Sequence, residues 1–277
     1  MLTKLRHRID RFFERNKIRQ YFDLPRDERV RIIKNLYCHT NKVEGFESVF
    51  GSPFPSLAQR SPYYDLIAAY ANELRPDSVH QVGCFTASDS RSLMDGGYAG
   101  RVIASDYDLD RLTYLKQRFS GTNHESIELR QFDLEGQDYT PLNGSEMVIA
   151  NAVFSNLQPE TIDFFFSQLA SCEVRLVVIS DIITKDSLTT DPNVFQSLKS
   201  KTDRNWYHRY LAVARKNDVE AFFLPDFVAN GRGHARANLI FHRGIDPQIH
   251  NDAISQAFTG YVGRQGTILR ELALLSR

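Results

Sequence analysis

Hydrophobic positions recur along this chain with two different periods. Leu2, Leu5, Ile9, Phe12 and Phe13 fall at helical spacing with Lys and Arg between them, which predicts an amphipathic helix over residues 1–22. A second helix is predicted from Arg26 to Tyr37, after Leu24-Pro25, and the Gly-, Ser- and Pro-rich stretch FGSPFPSLAQRSP then breaks the pattern. From about Tyr63 onward, helical and extended segments alternate. Tyr64 to Leu74 reads as a helix, SVHQV (78–82) and RVIASD (101–106) as strands, and LDRLTYLKQRF (109–119) as a helix. Strands SIELRQFD (126–133) and EMVIAN (146–151), helix PETIDFFFSQLA and strand VRLVVIS (174–180) follow. A helix around His208 to Lys216 precedes EAFFLPDFV and ARANLIFHRG, which read as a closing antiparallel pair. This alternation predicts an α/β fold: a doubly wound, mostly parallel seven-stranded sheet with a closing antiparallel strand. Residues 1–60 form an N-terminal helical extension or cover, and residues 61–277 form the α/β domain.

Composition narrows the class. The chain has 277 residues, 42% of them hydrophobic, enough for a sizeable core. Cys38, Cys84 and Cys172 are odd in number and far apart, without a CxxC pair, so neither a disulfide framework nor a zinc site is indicated. No run of about 18 apolar residues occurs and no signal-peptide pattern opens the chain, which points to a cytoplasmic protein. The isolated histidines and scattered acids show no metal-ligand spacing. The net charge of zero hides an asymmetry: residues 1–35 carry eleven Lys/Arg against five Asp/Glu, so the front is basic and the remainder acidic. A basic arm suits nucleic acid or an anionic membrane surface, the latter through residues 1–22, and it equally suits a solvated helix packed on its own acidic domain.

In an open α/β sheet, ligands gather at the carboxyl ends of the strands, so the residues there carry the functional information. Gly83 follows the first strand, where a missing Cβ lets the backbone approach a ligand, and Thr86 or Ser88 could cap the next helix. The second strand ends at Asp106, 23 positions beyond Gly83. An acidic side chain there can accept both hydroxyl hydrogens of a ribose, whereas Asp108 and Asp110 suit the first turn of the following helix. The third strand closes with Phe132-Asp133-Leu134, an apolar rim and a carboxylate that could accept from an adenine amine, or cap the next turn.

These segments resemble a known family. VHQVGCFTAS is similar to the first motif of class I S-adenosylmethionine-dependent methyltransferases, VIASDYDLDRL to the second, LRQFDLEG to the third and EMVIANAVFSNLQPE to the fourth, in the family's order and spacing over about Tyr63 to Gly244. The resemblance implies S-adenosylmethionine as cofactor, contacted by Gln81, Gly83, Cys84, Phe85, Asp106, Tyr107, Asp133, Leu134 and Asn151. It has departures. Gln81 stands where the family has Glu or Asp, and Phe85 and Ala87 stand in place of glycines. The Cys84 thiol, without a basic partner in the sequence, reads as a packing group. A dinucleotide site would need GxGxxG, and a Phe at the second glycine obstructs a pyrophosphate.

Methyl transfer from a sulfonium is an in-line displacement that needs alignment and exclusion of water. A hydroxyl acceptor gains from a general base. His208, in RNWYHRYL among Trp206, Tyr207 and Tyr210, is the candidate catalytic residue, and that stretch is similar to an HNY-type segment of some bacterial methyltransferases of small hydroxylated molecules. A packing histidine at a helix end is the competing reading. Asp181, Asn151 and Asn156 could face the acceptor, and His234 belongs to a hairpin loop. The fourth motif reads NAVF, without the Pro-Pro-aromatic continuation of nucleic-acid amino-methylating enzymes, which favours a small-molecule acceptor over a nucleic acid. The departures in the first motif also admit a binding or scaffold protein that keeps the fold without catalysis.

Overall fold

In the computed structural model, the residues described are 24–29, 62–183, 187, 198–199, 206–226 and 235–275, with side chains described as far as Gly263. The N-terminal amphipathic helix, most of the second helix with Cys38, the FGSPFPSLAQRSP boundary up to Ser61, and His234 lie outside them. Of the second helix, Arg26 to Arg29 form one helical turn.

The elements alternate as their periodicity predicts. α1 (Pro62–Leu74) leads into β1 (Ser78–Val82), α2 (Ser88–Asp95), β2 (Arg101–Asp106), α3 (Leu109–Phe119), β3 (Glu128–Gln131) and β4 (Met147–Asn151). α4 (Pro159–Gln168), β5 (Leu176–Ile183), β6 (Leu198–Lys199), β7 (Trp206–Tyr207), α5 (Tyr210–Lys216), β8 (Glu220–Asp226), β9 (Ala235–His242) and α6 (Pro247–Leu275) complete the order. Seven strands form one sheet in the order β3-β2-β1-β4-β5-β9-β8. β3 to β5 pair in parallel throughout, while β9 runs antiparallel to both of its neighbours. From β1 the chain builds outward through β2 to β3, then crosses back to β4 on the other side of β1, so a crevice opens outside the carboxyl ends of β1 and β4.

Each sheet face is covered because strand side chains alternate between the faces. Under α4 and α5, Val148, Ala150, Val177, Ile179, Leu239 and Phe241 meet Phe165, Phe166 and Tyr210. Ring centroids there lie 4.9 Å apart for Phe154–Phe165 and 4.7 Å for Phe166–Phe241, both edge to face. Each fully buried ring contributes about 1.5–3 kcal/mol by leaving water. On the other face, Val79, Met147, Ile149, Leu176, Val178 and Ile240 pack against Tyr63, Leu66, Ile67 and Tyr70 of α1 and Ala253 and Ala257 of α6.

The structure corrects some boundaries and adds elements. β3 is shorter than the predicted 126–133 because it is the half-exposed edge strand, and past Gln131 only the Phe132 amide still pairs, donating to the Asp106 carbonyl. β5 runs past Ser180 to Ile183 because β9 continues to pair with it after β4 has ended. α5 begins at Tyr210, since Trp206–Tyr207 is held extended against Leu198–Lys199. The long helix α6 was not predicted. Its buried positions, His250, Ala253 and Ala257, are small or polar, and Gly260, Gly263 and Gly266 weaken its helical signal by about 1 kcal/mol each against alanine. No helix among the described residues is long and apolar enough to cross a membrane.

Candidate functional site

Gly83 opens the loop after β1 with φ +60°, and a Cβ there would lie 2.8 and 2.9 Å from the two methyls of Val153 in the loop after β4. Glycine is required both by conformation and by contact. The next two alternate positions keep the same handedness without glycine: Phe85 has φ +49° and Ala87 φ +53°. A left-handed L-residue costs roughly 1–2 kcal/mol, so this loop holds its shape at an energetic cost that the surrounding bonds offset.

Gln81 supplies two of those bonds. Its Oε1 accepts from the Ser90 amide at 3.0 Å and the Ser90 hydroxyl at 2.8 Å. Ser90 lies in the first turn of α2, whose N-cap Ala87 provides no side-chain acceptor, so Gln81 caps the helix from the neighbouring strand. The amide that stands in place of the family's acid is therefore turned toward α2. Cys84 is buried, its amide donates to the Ser105 carbonyl at 2.8 Å, and burial, then the Asp106 charge, pushes its thiol well above the ordinary range.

Asp106 is 2% exposed and turned inward. Its Oδ2 accepts from the Phe85 amide at 3.1 Å and from Arg111 Nη1 at 2.9 Å, and its Oδ1 accepts from the Asp108 amide at 3.1 Å. The Arg111 guanidinium lies 4.9 Å from the centre of the Phe85 ring, a cation–π arrangement that draws the ring toward α3. Asp106 thus ties the first loop to α3. A carboxylate has about four lone-pair positions, and three are used here.

Tyr107 is half-buried, and its carbonyl accepts from Gln131 Nε2 at 3.3 Å. Asp133 Oδ1 accepts from the Glu135 amide at 3.0 Å, and its other oxygen forms an ion pair with Arg26. Arg29 Nη1 donates to Glu135 at 2.7 Å. The described turn of the basic N-terminal segment is therefore docked on the acidic loop after β3. Leu134 is buried, and its carbonyl accepts from the Tyr139 hydroxyl at 2.8 Å.

Beyond β4, His208 is 0% exposed. Its Nε2 lies 2.9 Å from the Phe154 carbonyl, which makes that nitrogen the donor. Burial pushes its pKa down to about 4, the carbonyls of Phe154 and Leu157 opposing the shift. The ring stacks near Trp206 and meets Tyr210 edge-on. In this geometry His208 ties the segment before α5 to the turn Phe154–Asn156. Asp181 is buried and accepts from the Ser155 amide at 2.8 Å and the Tyr210 hydroxyl at 3.1 Å, with burial raising its pKa. Asn156 donates to the Ala152 carbonyl at 3.0 Å.

The fold brings together residues the sequence reading passed over. Asp89, in the first turn of α2, is completely buried, accepts from the Tyr63 hydroxyl at 3.2 Å and the Ser88 hydroxyl at 3.0 Å, and is hydrogen-bonded to Asn151. Burial raises its pKa to about 6. Asn151 in turn accepts from Arg236 of β9 at 2.7 Å. A charged residue where β9 should continue its apolar alternation was the available signal for Arg236. Among the described residues, no group of three or more His, Cys, Asp or Glu is arranged to hold a metal ion.

No protein-family model matches the chain, and no curated protein matches it in sequence. Among solved structures, the methyltransferase domain of bacterial CtHen1-CN superposes with a TM-score of 0.50 at 16% identity, over 66% of this chain and 98% of that one. Magnesium protoporphyrin IX methyltransferase (ChlM) from Synechocystis PCC 6803, solved with bound SAH, gives a TM-score of 0.46 at 16% identity, over 65% of this chain and 82% of that one. The likeness to the CtHen1-CN domain, together with the strand order, shows that the chain has the fold of a class I methyltransferase.

Proposed function

We propose that this chain, starting from that fold, is an S-adenosylmethionine-dependent methyltransferase acting on oxygen or nitrogen of a small molecule. The observation that carries the reading is the loop after β1. Gly83, Phe85 and Ala87 all keep the left-handed backbone that glycines would adopt there, so the loop's form persists although two of its three glycines are gone. Asp106 faces that loop with a lone-pair position unused, which suits a ribose hydroxyl. S-adenosylmethionine would supply an electrophilic methyl group whose leaving thioether needs no proton. Gly83, Asp106 and Tyr107 would hold its nucleoside, with Asp133 and Leu134 at the adenine end and Gln81, Cys84 and Phe85 shaping the loop.

On the acceptor side, the chain's own contribution is alignment. To act as a general base, His208 would first have to leave the Phe154 carbonyl. Pinned there, it fixes the turn that follows Asn151 and acts as a positioning residue. Alignment and exclusion of water supply much of what a methyl transfer needs.

One observation favours the competing reading of a non-catalytic scaffold: Arg111 and Arg26 already occupy Asp106 and Asp133. Calorimetry separates the two. The methyltransferase reading expects saturable heats with both S-adenosylmethionine and S-adenosylhomocysteine. Absence of heat with either, at ligand concentrations far above the protein's, leaves the scaffold.

A further inference from the structure

On the sheet face covered by α1 and α6, neighbouring strands change character in the same layer. Ile149, Val178 and Ile240 are register partners and apolar; one step toward the carboxyl edge of β4 and β5, the partners are Asn151, Ser180 and Asn238. Arg236 stands one step further along β9. A sheet that only needed a core would continue with apolar side chains here, because each buried polar group must find a partner.

All the described hydrogen bonds of the Arg236 guanidinium run through Nη2. That nitrogen donates to Asn151 Oδ1 at 2.7 Å, Ser180 Oγ at 3.1 Å and the Ser180 carbonyl at 3.3 Å. The three acceptors are neutral. Nε is buried with no hydrogen-bond partner, and no ion pair joins Arg236 to a carboxylate among the described residues. Asp181 and Tyr63 lie close enough to feel its charge. Asp181, however, is committed to the Ser155 and Ile182 amides and the Tyr210 hydroxyl, and Asp89 to Tyr63, Ser88 and Asn151. A partly desolvated guanidinium, fixed in place by neutral groups and making no direct ion pair among the described residues, is a receptor for an anion.

We propose that Arg236 anchors the acceptor by binding a carboxylate, so that the acceptor is a small organic acid held over the ends of β4 and β5. The inference rests on the methyltransferase reading for the word acceptor. Position assigns the anion to the acceptor, because β9 lies three strands from β1, about 14 Å at strand spacing, and its guanidinium reaches back only as far as β4. A second negative charge close to the buried Asp181 would be repelled, which favours a monoanionic carboxylate over a dianionic phosphate.

The test uses the full chain saturated with S-adenosylhomocysteine and two matched pairs of probes, acetate against acetamide and benzoate against benzamide, followed by calorimetry and by the NMR signals of arginine Nε. In at least one pair the acid is expected to bind about tenfold more tightly than the amide, a preference that disappears in Arg236→Gln and is partly kept in Arg236→Lys. Lack of preference in both pairs with the wild-type chain, which needs no variant to fold, overturns the proposal, as does an undiminished preference in Arg236→Gln. Tighter binding of inorganic phosphate than of either acid overturns the choice of carboxylate. Comparing S-adenosylhomocysteine with 5′-methylthioadenosine, which lacks the amino-acid group, separates the sources of the anion. Arg236→Gln should leave both affinities unchanged, and a loss confined to S-adenosylhomocysteine would move Arg236 to that nucleoside's own carboxylate. If the wild-type chain binds neither nucleoside, the methyltransferase reading fails, and the acid-against-amide comparison repeated without nucleoside still decides the Arg236 site.

Discussion

Gly83 illustrates how a single position can be fixed twice. Its φ of +60° and the Val153 methyls below 3 Å from a hypothetical Cβ oppose any side chain. Gly83→Ala should therefore cost roughly 1–3 kcal/mol in chemical denaturation. Adding Val153→Ala should recover the steric part and leave the conformational part, a coupling that a double-mutant cycle reads directly; purely additive losses would rule out the contact. At Asp106, replacement by Asn preserves shape while removing the charge. S-adenosylhomocysteine affinity is expected to fall by about 1–3 kcal/mol, the scale of hydrogen bonds to a charged group, and an unchanged affinity in calorimetry would remove Asp106 from the site. That a strand-end acid faces the first loop could be read from its place after an apolar strand. That Arg111 shares it could not, because a basic residue five positions later looks like an ordinary exposed helix face until α3 is laid against β2.

Elements here are tied to one another by polar groups that belong to neither element's own pattern. Gln81 of β1 caps α2, and His208, beside α5, holds the turn after β4. The second tie carries a pH dependence with a definite sign. The folded-state pKa of His208 is lowered to about 4 by burial, below the ordinary value of about 6.5. The neutral ring therefore stabilises the fold fully above about pH 6.5, and this stability is lost as the pH falls toward 4, by roughly 3 kcal/mol in total. Denaturation midpoints followed across that window should slope downward in the wild-type chain and less so in His208→Gln, whose side-chain amide keeps a donor for the Phe154 carbonyl. Parallel slopes would show that another group dominates. The long β9–β5 pairing, which carries β5 past its predicted end, is a similar case: the strand's length is set by its neighbour.

For the whole molecule, the consequential addition is α6. It shares one buried cluster with α1 and the sheet through Ala253 and Ala257, and His250 Nδ1 lies 2.9 Å from the Tyr70 hydroxyl. If α6 is integral to the domain, Ala253→Arg, which places a charge in a site with no room for it, should destabilise the entire fold in one cooperative transition. A separate early transition, with the remainder unaffected, would make α6 an appendage. At the same scale, the described end of the basic N-terminal segment is held by Arg26 and Arg29 against Asp133 and Glu135, so part of the charge asymmetry along the chain is compensated within the molecule.

The sequence by itself determined the alternation of strands and helices between Tyr63 and the closing β8–β9 pair and the placement of Gly83 and Asp106 at strand ends, because hydrophobic periodicity and turn chemistry are local properties written within a dozen residues. Only the tertiary structure decided which polar groups meet. The pairing of Asp106 with Arg111, the capping of α2 by Gln81, the pinning of His208 and the convergence of Asp89, Asn151 and Arg236 all depend on distances between segments far apart in the chain. A buried hydrogen bond or charge acts over a few ångströms, and nothing in the local pattern specifies which distant partner will be within that reach.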